Sequence, residues 1–241
     1  MPAAIKPSVT STRRAMLLLA ALLALSVTML PRSLPGQAAR SASAKAKGDP
    51  LDRAVVAWTR VKTVRATFEQ TIENSLTGST LRTSGEYQQQ RPGRLSVRFN
   101  DPATDRIVAD GKFVWLYLPS SAPGQVIRTA LGEGGTGTLD LTAQFLTAPR
   151  SRYTVTSTGA STVGGRAVQG YSLVPKTRAG APFVKAVVQV DAGDATIRQF
   201  TVTENSGIER TVRLTSLRTN VPVQASVFIF TPPAGTRIVT R

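Results

Sequence analysis

Apolar positions along the chain follow two periods. Leu51, Ala54, Val55, Trp58 and Val61 fall three or four residues apart, with Arg53, Arg60 and Lys62 off that line. This spacing predicts an amphipathic helix of about three turns. Asp49 and Pro50 stand where an N-cap and a first helical residue belong. From Val64 onward the period becomes two, and Thr, Val, Tyr and Phe alternate with polar residues between Gly, Asn, Asp and Pro punctuation. That predicts strands at residues 66–72, 84–90, 94–100, 106–109, 112–118 and 125–129. Leu95, Val97 and Phe99 share one face, and Arg94, Ser96 and Arg98 the other, the mark of a sheet with one dry and one wet side. Asp110-Gly111 is the strongest hairpin signal.

Gly132–Gly137 holds four glycines in six residues and predicts a flexible break. Leu139–Leu146 then predicts a short helix ending at Pro149, with Leu139, Leu141, Phe145 and Leu146 as its apolar residues. Strands resume at 153–157, 167–174, 185–190, 197–204 and 211–217, with a further one expected at 228–231. The fold class implied is mainly β (α+β): a strongly curved antiparallel sheet whose concave side is covered by helices. A curved sheet of this size either closes into a barrel or leaves an opening to be filled.

Composition adds a compartment. Lys6, Arg13 and Arg14 precede the apolar run Ala15–Met29, and small residues follow at Gly36, Ala38, Ala39, Ala42 and Ala44. Basic, apolar and small in that order predict a cleaved secretory signal over residues 1–39. The run falls short of the about 20 residues a membrane span needs. Residues 40–48 (RSASAKAKG) are expected to form a flexible mature N-terminus, and residues 49–241 a single domain. The chain has no Cys and no His. It therefore offers no thiol for lipid attachment or disulfides, and lacks the commonest general base and metal ligand.

The formal charge is +16, and the four bases of residues 1–39 leave about +12 for the rest. In an exported protein that excess suits an anionic lipid surface or an acidic partner, not nucleic acid. No metal-ligand cluster, phosphate loop or paired carboxylates outside turns are seen, so neither catalysis nor a cofactor is expected.

An ordered set of elements resembles the LolA family of periplasmic outer-membrane lipoprotein carriers. The set comprises Phe68-Glu69-Gln70; Gly85–Pro92 (GEYQQQRP); Ile107, Val108, Asp110, Gly111, Trp115 and Tyr117; Tyr171–Lys176; Gln199-Phe200; Asn220–Pro222; and Phe228–Gly235 (FIFTPPAG). The resemblance spans about Leu51 to Val239. It implies an unclosed antiparallel barrel with a helical lid over a hydrophobic cavity, and a monomeric carrier of acylated lipoproteins. Such a carrier loads at an inner-membrane ABC-type release complex and delivers to an outer-membrane acceptor. Arg91 matches the family arginine that bonds lid backbone carbonyls and latches the lid, and Leu139–Leu146 matches the mobile lid. The same fold also serves lipid or glycolipid carriers and lipid-sensing modules, which stand as the alternative.

Burying an acyl chain is worth about 0.8 kcal/mol per methylene, so a 16-carbon chain resists water by about 12 kcal/mol. A carrier must replace that burial without a covalent step. The candidates to line its cavity are Trp58, Phe68, Leu95, Val97, Phe99, Leu139, Leu141, Phe145 and Leu146. Phe145 and Leu146, just past the glycine loop, are the first expected to touch cargo. The strand carrying Trp115 and Tyr117 could face either side.

Overall fold

The computed structural model describes residues 48–132, 140, 142–181 and 183–240. The expected signal, all of the expected flexible segment except Gly48, the glycine loop past Gly132, and Leu139 and Leu141 lie outside these.

In chain order, the described elements begin with helix α1 (Pro50–Trp58) and strands β1 (Thr63–Asn74), β2 (Ser79–Gln90), β3 (Arg94–Phe99), β4 (Arg106–Asp110), β5 (Phe113–Tyr117) and β6 (Gln125–Ala130). Two single-turn helices follow, α2 (Ala143–Leu146) and α3 (Pro149–Arg152). The chain continues with β7 (Tyr153–Val163), β8 (Arg166–Pro175), β9 (Lys185–Asp191), β10 (Ile197–Thr203), β11 (Ile208–Thr219), a 3₁₀ turn at Ala225–Phe228 and β12 (Arg237–Thr240). All twelve strands form one sheet in the order β12-β6-β5-β4-β3-β2-β1-β11-β10-β9-β8-β7. Neighbours are antiparallel, except that β12 runs parallel to β6. The long β1–β11 ladder joins the two halves of the chain. Among the described residues β7 and β12 remain as unpaired edges, so the sheet is open. It is also strongly curved: residues of β3 and β4 line the same cavity as residues of β10, although β2, β1 and β11 stand between β3 and β10 in the sheet.

Inward positions follow the alternation expected from the sequence. On β3 Leu95 and Val97 are buried, while Arg94 and Arg98 are exposed; Ser96, expected on the wet face, is buried as well, beside the 3₁₀ turn at Ala225–Phe228. At Gly85 the sheet admits no side chain: a Cβ there would lie 2.3 Å from the Arg98 carbonyl oxygen and 2.8 Å from the Phe68 ring. Glycine at this point lets Phe68 pack flat across β2, and Phe68 meets Phe99 edge-on with ring centroids 5.9 Å apart.

Three local expectations differ from the structure. The helix expected over Leu139–Leu146 is, in its described part, the single turn Ala143–Leu146. Asp140 Oδ1 accepts from the Thr142 and Ala143 amides at 3.1 and 2.9 Å and so sets the start of that turn. α2 ends at Leu146, ahead of Pro149, but Pro149 then opens a separate short helix that was not expected, occupying the first turn of α3, where its missing N–H costs nothing. Residues 228–231 form no ladder. They lie against the outer face of the sheet, where Phe230 packs on Trp115 and Tyr117 at 5.8 and 5.7 Å, and Pro232-Pro233 carry no donors to continue a strand. This contact also places the Trp115 and Tyr117 side chains outside, away from the cavity.

The β9–β10 turn is tied by an ion-pair cluster. Asp191, buried at the end of β9, accepts from Arg166 Nε at 2.7 Å and Arg198 Nε at 3.0 Å, and Asp194 pairs with both arginines. Burial alone would raise the Asp191 pKa. The Arg166 bond, the Gly193 and Asp194 amides and the Arg198 bond outweigh it and hold the carboxyl well below the usual carboxylate range. The folded state therefore keeps Asp191 ionised where the unfolded chain, near pH 4, already takes up a proton. This contribution is full above about pH 4 and is lost as the pH falls toward the folded pKa. With Arg166 half exposed, the expected loss is about 1–2 kcal/mol. Thermal unfolding at pH 5 and pH 2 should show Asp191→Asn losing less stability on acidification than wild type; parallel losses would remove Asp191 from the account.

Candidate functional site

Inside the curved sheet lies a cavity of about 370 Å³. Phe68 from β1, Leu95, Val97 and Phe99 from β3, and Ile107 from β4 form one wall; Phe200 and Val202 from β10 and Val212 from β11 form the other. Each strand gives alternate residues to this side because successive side chains point to opposite faces. Gln144 of α2 and Phe183, just ahead of β9, complete the lining, and Gln70, Glu204 and Arg210 supply a polar end.

An aromatic plug closes the α2 side. Phe145 is fully buried, 5.0 Å from the Phe200 ring and 6.1 Å from that of Phe183. Tyr153 stacks on Phe183 at 5.6 Å, and its hydroxyl donates to the Gln144 carbonyl at 2.9 Å. Phe145 thus stands behind the lining residues and supports two of them.

Two side chains at the end of β2 fasten the helices. Gln89, almost completely buried, donates from Nε2 to Asp140 Oδ2 at 2.6 Å. The other Asp140 oxygen starts α2, so this carboxylate ties that helix to the sheet. Two residues on, Arg91 Nη1 donates to the Trp58 and Val61 carbonyls, both at 3.1 Å, and its guanidinium lies 4.9 Å over the Trp58 ring. These carbonyls belong to the last turn of α1 and the residues just beyond, where backbone acceptors lack helical partners and the helix dipole is negative.

The other end of α1 is held as firmly. Asp49 caps it, accepting from the Leu51 amide at 2.8 Å, and Tyr171 on β8 donates to the same oxygen at 2.9 Å. Burial first, and then this hydrogen bond, push the Tyr171 pKa up to about 12, so the hydroxyl stays a donor at physiological pH. Arg150 of α3 binds Asp52 at 2.9 Å, and Arg53 donates to the Ala192 and Gly193 carbonyls in the β9–β10 turn.

Of the nine residues expected to line a cavity, Phe68, Leu95, Val97 and Phe99 do so. Phe145 and Leu146 are buried in the core, Phe145 behind the lining. Trp58 is buried beneath Arg91, and Leu139 and Leu141 lie outside the described residues. Among the described residues, the carbonyls that Arg91 bonds belong to the end of α1. The sequence reading missed Ile107, Phe183, Phe200, Val202 and Val212 as lining, although the β10 residues Phe200 and Val202 alternate as clearly as those of β3. It also missed Asp140, whose Asp-x-Thr setting ahead of an apolar run is a helix-start signal.

The arrangement can bury hydrocarbon and donate hydrogen bonds at one end. No group of three or more metal-ligating side chains is found among the described residues, and none of their helices is long and apolar enough to cross a membrane.

The sequence pattern of the family described as outer membrane lipoprotein carrier protein LolA matches residues 59–231. An outer-membrane lipoprotein carrier protein from Proteus mirabilis is 28% identical over 180 residues, covering 74% of this chain and 82% of that one. One from Serratia proteamaculans is 29% identical over 208 residues, covering 84% and 91%. Among solved structures, an uncharacterized conserved protein from Thermus thermophilus is 12% identical, with a TM-score of 0.50 over 80% of this chain and 97% of that one; this similarity bears on the fold alone.

Proposed function

Because this chain belongs to the outer membrane lipoprotein carrier protein family, we propose that it carries lipoproteins through the periplasm with their acyl chains in the cavity. The observation that supports this most directly is the apolar chamber whose covering helices are fastened by Gln89 and Arg91. On this reading residues 1–39 direct export, and residues 49–241 act as a monomeric carrier domain. Cargo is received from an inner-membrane ABC-type release complex and delivered to an outer-membrane acceptor. Loading and release run on burial and hydrogen bonds, without covalent chemistry or a cofactor.

The cavity's size implies movement. At about 370 Å³ it stands at the low end of the roughly 300–1,000 Å³ of small-ligand pockets. Three acyl chains need more room, so the Phe145–Phe183–Tyr153 plug and α2 must give way on loading. α2 is a single turn, held to the sheet mainly by its aromatic contacts and the Asp140–Gln89 bond, and is the piece cheapest to displace. Arg91 then serves as a latch on α1, which packs beside α2.

The test is native mass spectrometry with lipid extraction on protein taken from the periplasm without detergent. Wild type should carry triacylated lipoprotein. Val97→Asp, which places a carboxylate in the wall of the chamber, should carry at least about tenfold less, since burying an unpaired charge costs more than the about 1.4 kcal/mol that tenfold represents. Free phospholipid alone on the wild-type protein would move the function to lipid transport. A Val97→Asp protein that folds and stays fully loaded would place the cargo elsewhere.

A further inference from the structure

The cavity changes character at one end. Gln70, Glu204 and Arg210 line it beside Phe68, Phe99 and Val202. Arg210 Nη1 donates to Gln70 Oε1 at 3.2 Å, and Nη2 donates to Glu204 Oε1 at 3.3 Å. The second Glu204 oxygen accepts from the Ser206 hydroxyl at 3.4 Å. The Arg210 and Glu204 side chains are 38% and 32% exposed, so water reaches the chamber here. Register places the group closely: Gln70, Val212 and Phe200 form one cross-strand row, and Ile72, Arg210 and Val202 form the next. The polar atoms therefore begin within one strand row of the aromatic wall.

We propose that this group seats the headgroup of the cargo lipid and selects an uncharged, ester- or amide-linked headgroup over an anionic phosphate. The proposal rests on the acyl-chain reading above. A chain lying against Phe68, Phe200 and Val202 brings its first carbonyl to the Arg210 row. A guanidinium carries five N–H donors in a fixed fork. Two nitrogens are oriented by Gln70 and Glu204, and the remaining donors can meet a neutral carbonyl without disturbing either bond. A phosphate is placed differently. A bare arginine would bind it in bidentate fashion, but Gln70 and Glu204 already hold one nitrogen each of the fork, and the Glu204 carboxylate would repel the incoming anion at close range. The ion pair makes the mouth rich in donors yet neutral in charge, which suits an ester or amide and opposes a phosphodiester.

The experiment titrates the full purified chain with two pyrene-labelled probes of identical acyl chains, 1,2-diacylglycerol and phosphatidylglycerol, delivered from cyclodextrin. Wild type should bind the diacylglycerol at least about tenfold more tightly. Glu204→Gln keeps the shape and a hydrogen-bond acceptor and removes the charge. It should raise phosphatidylglycerol affinity about tenfold and so abolish the preference for diacylglycerol. Arg210→Met should weaken diacylglycerol binding about five- to tenfold. Gln70→Leu, which loosens only one of the two bonds on Arg210, gives a smaller loss in the same direction and guards against a folding defect in the arginine variant. If both probes bind wild type equally and Glu204→Gln alters neither, the headgroup assignment is overturned while the acyl-chain cavity stands. If neither probe binds, the acyl-chain reading fails and this assignment fails with it.

Discussion

Replacing Phe145 with alanine should destabilise the protein by about 3–5 kcal/mol, the cost of deleting a buried aromatic ring from a packed core. Phe145 has no exposed surface, and its ring contacts both Phe200 and Phe183. Its loss removes apolar burial and leaves a void next to an existing chamber. Such a void cannot collapse easily, because Phe200 is fixed on β10 and Phe183 is held in its stack on Tyr153. The same void enlarges the space open to an acyl chain. Equilibrium denaturation should therefore report the loss of stability, while the pyrene-labelled diacylglycerol probe enters faster than in wild type. Phe145→Leu should lose less stability and show a smaller gain in entry rate. An alanine variant with unchanged entry kinetics would mean that α2 is not the gate, whatever its stability.

The second large effect is expected at Arg91. Arg91→Leu removes two charge-assisted bonds to the Trp58 and Val61 carbonyls, each worth roughly 1.5–3 kcal/mol, together with the contact over the Trp58 indole. The contributions share one guanidinium and do not add fully, so about 2–4 kcal/mol is expected in the docking of α1. At about 1.4 kcal/mol per factor of ten, the open population of α1 should rise by roughly one to three orders of magnitude. Hydrogen exchange at the α1 amides reads this directly, and cargo should be released faster. Arg91→Lys should restore little, because an ammonium cannot reproduce the planar fork that spans two carbonyls and covers an indole. A leucine variant that keeps wild-type α1 protection and hands over cargo at the wild-type rate would remove Arg91 as a latch.

These two residues show how unevenly the site could be read. Arg91 stands out beside Pro92 only through the likeness to a family; by itself, an arginine at a strand end is ordinary. What it holds is decided by the β1–β2 ladder, which sets the end of β2 beneath the exit of α1. Phe145 was legible as an apolar helix residue. Its place behind the lining follows from Phe183 and Phe200, which arrive from parts of the chain 38 and 55 positions later. Gln89 and Asp140 were illegible as a pair, since a buried amide and a buried carboxylate 51 residues apart leave no local pattern.

Local chemistry settled what could be settled from the sequence alone. Alternation at β3, the Asp110-Gly111 turn and the Asp49-Pro50 start of α1 each act within a few residues. The absence of Cys and His limits the available chemistry before any fold exists. Tertiary structure decided which faces meet. Period two says that Val97 and Val202 each belong to one side of a strand, but not that the two line a common chamber. That follows from sheet curvature, which accumulates over many strands and is written in no single one. The same curvature brings Gln70, Glu204 and Arg210 to one end of the chamber, and lays the tail at Phe230 over Trp115 and Tyr117 instead of pairing it as a strand. Strand faces are a local property of the chain, whereas an enclosed cavity is a property of the whole sheet.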